Sequence, residues 1–228
     1  MSPSDAAKTD ATKSPRTPLT PERVLDAAMA LADDVGIQNM TIRRLAASLD
    51  VKPMTIYHHI PNKEAILDGM VDRVFAEITL PPTDTDWKTA IRVRSESART
   101  VIARHPWAVT VLESRSNPGS ATLAHHDAVL GCLRRALSVE MTAHAYAVLD
   151  AFIYGFTIQE AALPATDGEG LADLAETIIA PTAESSYPYL TELTAEHVSQ
   201  PGYDFAAEFD FGLDLILDGL EAASEPQN

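Results

Sequence analysis

Apolar positions along this chain recur at three- and four-residue steps, the period of a helix with one buried face, and nowhere alternate long enough to predict a strand. Thr20, Pro21 and Glu22 open the first such segment as cap, first helical residue and first-turn acid. Val24, Ala28, Leu31 and Val35 form its inward stripe, and Gly36 closes it. Thr41 caps a second, short helix that turns Ile42, Leu45, Ala46 and Leu49 inward. Leu49 to Val51 make a tight turn, and a third segment follows within "VKPMTIYHHIPNKEAIL", residues 51–67. Asn62 caps a fourth helix, where Ile66, Met70, Val74 and Ile78 share a stripe flanked by Leu67, Val71 and Phe75. Pro81-Pro82 ends it.

Further helices are predicted near 85–104, 107–115, 118–137, 141–163, 169–180 and 204–222, broken by His105-Pro106, Asn117-Pro118-Gly119, Pro164, a Gly/Asp turn at 167–170 and Pro201-Gly202. Residues 181–201 read as a loop with a short helix. In the last helix Phe205, Phe209, Gly212, Leu213, Ile216 and Leu220 form one stripe, which Phe211 and Leu215 widen. The 141–163 helix is similar, with Tyr146, Leu149, Ile153, Phe156 and a mid-helix Gly155. Helices apolar over so much of their circumference need cover on more than one side. Central places in one monomer core would supply it, and so would a second copy of the chain. The fold class is therefore all-α, with a short-helix head and a larger helical body.

Composition narrows the picture. Apolar residues make up 46% of 228 positions, and no apolar run approaches a membrane span. Residues 1–17 read as a disordered Pro/Ser/Thr/Lys tail without the apolar core of a secretory signal. The single Cys132 excludes an internal disulfide framework and a cysteine-based zinc site, and a cytoplasmic protein fits. A net charge of −16 argues against nucleic acid until its distribution is read. Residues 16–63 carry six cations against five carboxylates, whereas 64–228 carry nine against 26. A near-neutral head with placed cations can meet phosphate while an acidic body stays clear of it.

The second and third segments, with their turn, span Thr41 to His59, the spacing of a helix-turn-helix. If Ile56 and Ile60 point inward with Val51, the solvent face of the third helix holds Lys52, Pro53, Met54, Thr55, Tyr57 and His58. Lys52 can reach a guanine edge or a phosphate, and Pro53 and Met54 can lie against thymine methyls. Thr55 and Tyr57 offer hydroxyls to phosphate, and His58 can donate to a base or the backbone. Arg43 is placed to enter the same groove. Lys63 sits where the free N–H groups of the fourth helix attract phosphate. His59 follows the inward side of the turn and reads as core.

These residues carry a resemblance. "TPERVLDAAMALADDVG", "MTIRRLAASLDV" and "MTIYHHIPNKEAIL" resemble the DNA-binding head of the tetracycline-repressor (TetR) family, with Thr55-Ile56-Tyr57, His59 and Asn62-Lys63 as the specific signature. The resemblance implies that Arg43 contacts a base, that Lys52, Pro53, Met54 and His58 face the groove, and that Thr55, Tyr57 and Lys63 hold phosphates. Asp50 stands where the family usually has glycine, and Asp tolerates the left-handed backbone this requires. More loosely, Trp87, "RRALSVE", "AYAVLDAFIYGF" and "FDFGLDLILDGLE" resemble the family's regulatory domain. The implied organisation is a tail at 1–17, a DNA-binding domain at 18–63 and a regulatory domain at 64–224. The implied partners are operator DNA, a small-molecule effector and a second copy bound through the 141–163 and 204–222 helices.

Trp107, Leu112, His126, Phe152, Phe156 and Gln159 are the candidate pocket residues, each also a plain core candidate except as the pocket requires. His125-His126-Asp127 invites a metal reading, but neighbours on a helix point about 100° apart and cannot share one site unaided. No cofactor, metal or catalytic constellation is expected. The expected function is a ligand-responsive repressor released from its operator. The rival is an all-α binding protein or enzyme whose head is only structural. By the resemblance, the family's drug- and metal-contacting positions fall on Thr79, Arg94, Ala98, Leu112 and Ala128, with Leu112 in place of the metal-ligating histidine. Fluorescence titration with magnesium and tetracycline is therefore expected to show no saturable binding, and tight magnesium-dependent binding would contradict it.

Overall fold

A computed structural model of the protein describes residues 18–224, apart from 116, 169, 172 and 174–186. The expected tail at 1–17 lies outside the described residues, as does most of the helix expected at 169–180. Among the described residues the chain is all-α, with no strand beyond one isolated bridge between Asp167 and Asp204.

Helix α1 (Pro21–Val35) starts where Thr20 Oγ1 accepts from the Arg23 amide at 3.3 Å, and stops at Gly36, whose φ of 78° suits glycine. Its buried face is Val24, Ala28, Met29 and Ala32, while the expected Leu31 and Val35 are half-buried. A short 3₁₀ turn (Ile37–Asn39) leads to α2 (Ile42–Ser48), capped by Thr41, and then to α3 (Pro53–Tyr57). Between α2 and α3 Asp50 has φ 52°, the left-handed turn expected of it.

Helix α4 (Lys63–Glu77) begins on Asn62, whose side chain accepts from the Ala65 amide at 2.7 Å. It ends at Glu77, ahead of Pro81-Pro82, because Ile78 turns extended to bury its side chain and the Thr79 amide bonds to Ser97 Oγ at 2.9 Å. The same helix packs on α1 and on the body helices α5 (Trp87–Arg104), α6 (Trp107–Glu113) and α7 (Ser120–Leu133). One buried cluster therefore runs without interruption from Val24 to Leu220.

The start of α7 differs from the expected 118, and α4 supplies the reason. Asp72 accepts from the Thr122 amide at 2.7 Å and its hydroxyl at 2.9 Å, so a carboxylate from another helix caps α7. Gly119 is needed there, since a Cβ would lie 2.2 Å from the Asp72 carboxyl carbon. Helix α8 (Val139–Ala162) starts two residues before the expected 141, on Ser138, whose hydroxyl accepts from the Met141 amide at 3.1 Å. The short helix expected within 181–201 is α9 (Pro188–Leu193), followed by a π turn at Thr194–Val198; residues 181–186 lie outside the described set.

The last helix, α10 (Ala207–Ser224), packs against α8 through Phe209, Leu213, Leu217 and Leu220. Phe211 and Leu215 do not widen the inward stripe: they are 63% and 60% exposed on the opposite side. Gly212 admits the Phe152 ring, which a Cβ would meet at 2.6 Å, whereas Gly155 and Gly219 face open space. Gly212→Ala is expected to destabilise the chain by about 1–3 kcal/mol through overpacking against Phe152. Gly131→Ala, in α7 with nothing near its Cβ position, should gain about 0.5–1 kcal/mol. Urea denaturation of the two variants checks the opposite signs.

Candidate DNA-reading face and effector cavity

Only five residues make up α3, too few for stability from its own hydrogen bonds. Ile56 and Ile60 bury it in the core shared with Leu45 of α2, and the Val51 amide closes the preceding turn on Ala46 O at 2.9 Å. This docking turns Lys52, Pro53, Met54 and His58 fully outward, with Met54 68% exposed. Such exposure of an apolar side chain at the first turn of a rigid helix suits contact with base methyls. Thr55, Tyr57 and His59 are half-buried at the edges of that face. Arg43 is exposed on α2, and Lys63 is exposed at the first turn of α4.

The charges of head and body are held differently. In the body Arg92 pairs with Asp214, Lys88 with Asp218 and Glu221, Arg99 with Glu160, and Arg104 with Glu77. Among the described residues, Arg43, Lys52 and Lys63 join no ion pair. Solvated, unpaired cations on one face can be neutralised by phosphate with release of its counterions.

Between α4, the end of α6, the loop after it and α7 lies a cavity of about 270 Å³. Leu112 and His126, both expected at a pocket, line it with Asp68, Val71, Arg115 and Thr122. His126 Nδ1 is hydrogen-bonded to the Tyr146 hydroxyl, and burial pushes the pKa of the imidazole below its usual range. A narrow apolar recess adjoins, sharing Val71 and Leu112 and reaching Tyr154. Among the described residues no group of three or more His, Cys, Asp or Glu is placed to hold a metal ion.

The other four pocket candidates lie elsewhere. Phe152 and Phe156 form an aromatic cluster with Phe205 and Phe209, with the Arg99 guanidinium over two of its rings. Gln159 is exposed on α8. Trp107 serves the junction of head and body: its indole N–H donates to Asp33 of α1 at 2.6 Å. His105 Nδ1 meets the same carboxylate at 2.8 Å and its Nε2 lies 3.5 Å from Glu77. This junction was not foreseen, because its members stand 72 and 74 positions apart and no local pattern links them.

The fold and these two sites define a helix-turn-helix regulator whose reading head is joined to a ligand-binding helical body. The comparisons agree. Residues 24–70 match the family described as bacterial regulatory proteins, tetR family, and 80–224 match the tetracyclin repressor-like C-terminal domain. The chain is 30% identical to the HTH-type transcriptional repressor DrrR1 of Streptomyces coeruleorubidus, over 92% of this chain and 80% of that protein. It is 27% identical to the class A tetracycline repressor from Escherichia coli, over 90% and 91% of the two chains. The structure of the Streptomyces coelicolor TetR family protein ActR in complex with actinorhodin shares its fold, with a TM-score of 0.75, 24% identity and 92% of this chain covered against 100% of that one.

The chain belongs to the TetR family of transcriptional regulators. It is a ligand-responsive, DNA-binding transcriptional repressor, and the rival reading of a purely structural head is not favoured. Regulators of this family are generally non-enzymatic, bind operator DNA and small molecules, and are typically dimeric. No helix among the described residues is long and apolar enough to cross a membrane.

Lys63→Ala is expected to weaken operator binding without unfolding the head, since its side chain is exposed and unpaired. Loss of one phosphate contact in each of two heads should flatten the slope of log affinity against log salt by roughly two. Mobility-shift titrations at several salt concentrations check this, and Glu192→Ala on the exposed surface of α9 is the control.

Proposed function

We propose that the chain works as a homodimer whose two α3 helices enter successive major grooves, with half-sites ~34–36 Å apart. Residues 18–63 form the reading head and 64–224 the regulatory and dimerising body. Arg43 contacts a base, Lys52, Pro53, Met54 and His58 face the groove, and Thr55, Tyr57 and Lys63 hold phosphates. The exposed apolar side chains of Phe211 and Leu215 on α10, and of Val148 and Ile158 on α8, support pairing of these two helices with their counterparts. Gly155 and Gly219, with open space beside them, would let the partner's helices approach closely.

A small molecule in the cavity beside α6 would release the operator. Support comes from structures of relatives holding ligands, actinorhodin in ActR and minocycline in a TetR from Acinetobacter baumannii. Leu112 offers this cavity an apolar side chain where the family resemblance places a metal ligand, so the effector differs from magnesium–tetracycline. The observation that carries the coupling is the double attachment of α6. Trp107 at its start holds Asp33 of the head, and Leu112 near its end lines the cavity. Just beyond, Arg115 pairs with Glu64 and Asp68 of α4. A ligand that displaces α6 from α4 shifts both attachments and so the spacing of the two heads. Binding of DNA and of ligand then oppose each other by the same free energy, roughly 1–3 kcal/mol in such systems.

The double change Phe211→Glu and Leu215→Glu is expected to give a folded monomer that no longer binds operator, read by sedimentation and mobility shift. A dimer of unchanged affinity would contradict the assigned interface. Asp33→Ala removes a negative charge from the head, which on electrostatics alone would favour DNA. It is nevertheless expected to weaken operator binding several-fold with an unchanged salt slope, because it detaches the head from α6 without removing a phosphate contact.

A further inference from the structure

The junction between head and body closes on a single ring. His105 stands between α5 and α6, only 8% exposed, and both of its nitrogens face carboxylates of other helices. Nδ1 lies 2.8 Å from Asp33 Oδ1 of α1, and Nε2 lies 3.5 Å from Glu77 Oε2 of α4. The second contact is an ion-pair distance: Nε2 is sealed from water and makes no hydrogen bond. Asp33 Oδ1 also accepts from the Trp107 indole at 2.6 Å, and Glu77 Oε2 is paired with Arg104 at 3.0 Å. Both oxygens are thus acceptors, and neither offers the ring a proton.

A neutral imidazole has one N–H and one bare nitrogen. With the proton on Nδ1, a bare Nε2 would be buried against Glu77. With the proton on Nε2, a bare Nδ1 would face Asp33 at hydrogen-bond distance. Two acceptors so placed repel, and the buried nitrogen has no water to turn to. The imidazolium alone aims an N–H at each carboxylate. The other charges of the junction have partners: Arg73 of α4 pairs with Asp26 of α1, and Arg104 at the end of α5 with Glu77. Asp26, Asp33, Arg73 and Glu77 line an open groove of about 430 Å³ between α1 and α4. Water therefore reaches the far side of both carboxylates, and a proton has a way in and out.

We propose that His105 is a proton-operated clasp between head and body. As imidazolium it ties Asp33 of the head to Glu77 of α4 and to the corner between α5 and α6. As imidazole it turns a bare nitrogen on one of those carboxylates, and the junction loosens. This rests on the reading that the Asp33 junction holds the heads at operator spacing, and it adds acidity as a second input beside the effector. The clasp is closed with the proton on, so operator binding is strongest on the acid side of the histidine range and weakens as pH rises through it, about pH 5–8. By reciprocity, operator binding draws protons from the buffer. His58 and His59 of the head add any pH dependence of their own equally to the wild type and to His105→Gln, which leaves both in place.

The test uses the full chain and two readouts. Trp107 lies 5.8 Å from the His105 ring, centroid to centroid, and an imidazolium quenches a neighbouring indole. In Trp87→Phe, which leaves Trp107 as the one tryptophan, fluorescence is expected to rise in a titration step between about pH 5 and 8 that His105→Gln removes. Operator affinity, read by mobility shift at about pH 6 and about pH 8, is expected to fall about tenfold in the wild type and less than about threefold in His105→Gln. Glu77→Gln should be equally insensitive, because its amide can donate to the bare nitrogen, and it carries the comparison if His105→Gln does not fold. No fluorescence step, or a step that His105→Gln leaves in place, overturns the clasp and leaves the junction as a fixed contact. A step that His105→Gln removes, with the same pH dependence of operator binding in all three proteins, overturns instead the reading that this junction sets the spacing of the heads, and the switch with it.

Discussion

A reading helix of five residues cannot hold its own position, and the rest of this molecule follows from that constraint. Its place is set by two buried isoleucines, Ile56 and Ile60, and by the left-handed turn at Asp50. The surface these lock onto belongs to α2, which packs on α1 as α1 packs on α4, and α4 does not stop at the head. Its buried positions run from Ile66 to Phe75 within the one cluster that continues to α10. Whatever moves α4 or α1 relative to the body therefore moves α3 as a rigid piece.

Charge placement serves the same division. Most cations of the body are spent on carboxylates of neighbouring helices, which leaves the body strongly acidic toward solvent. Arg43, Lys52 and Lys63 of the head stay solvated, so phosphate attracts one end of the molecule and repels the other. Inside the body the rule inverts. Arg94 is removed from water with a single carboxylate and a neutral histidine for company, a costly arrangement unless completed by something else. At the junction, His105 Nδ1 and the Trp107 indole N–H share one carboxylate oxygen of Asp33, which is only partly buried.

Local features were legible in the sequence wherever one short segment contained the whole cause. Thr20, Thr41 and Asn62 cap helices through their own amides three residues on, and Gly36 and Asp50 take the left-handed backbone their side chains permit. The outward side of α3 was legible for the same reason: inward Ile56 fixes which neighbours point out. Long-range partners were not. Arg94 meets His125 and Asp150 across 31 and 56 positions, and Asp72 caps α7 across 50, with no periodic signal to announce either. Phe211 and Leu215 show a different limit. Periodicity identifies a helix with two apolar sides, but it does not say which side its own chain covers, and Phe152 against Gly212 decides that here.

On this reading α3 meets DNA as one of a symmetric pair. Hydroxyl-radical footprinting of the purified chain on the DNA upstream of its own gene tests it most directly. Two paired heads would leave two protected patches related by a dyad and centred one helical turn apart, about 10–10.5 base pairs, both lost on Lys52→Ala at moderate salt. A single asymmetric patch, or symmetric protection indifferent to Lys52, would contradict it.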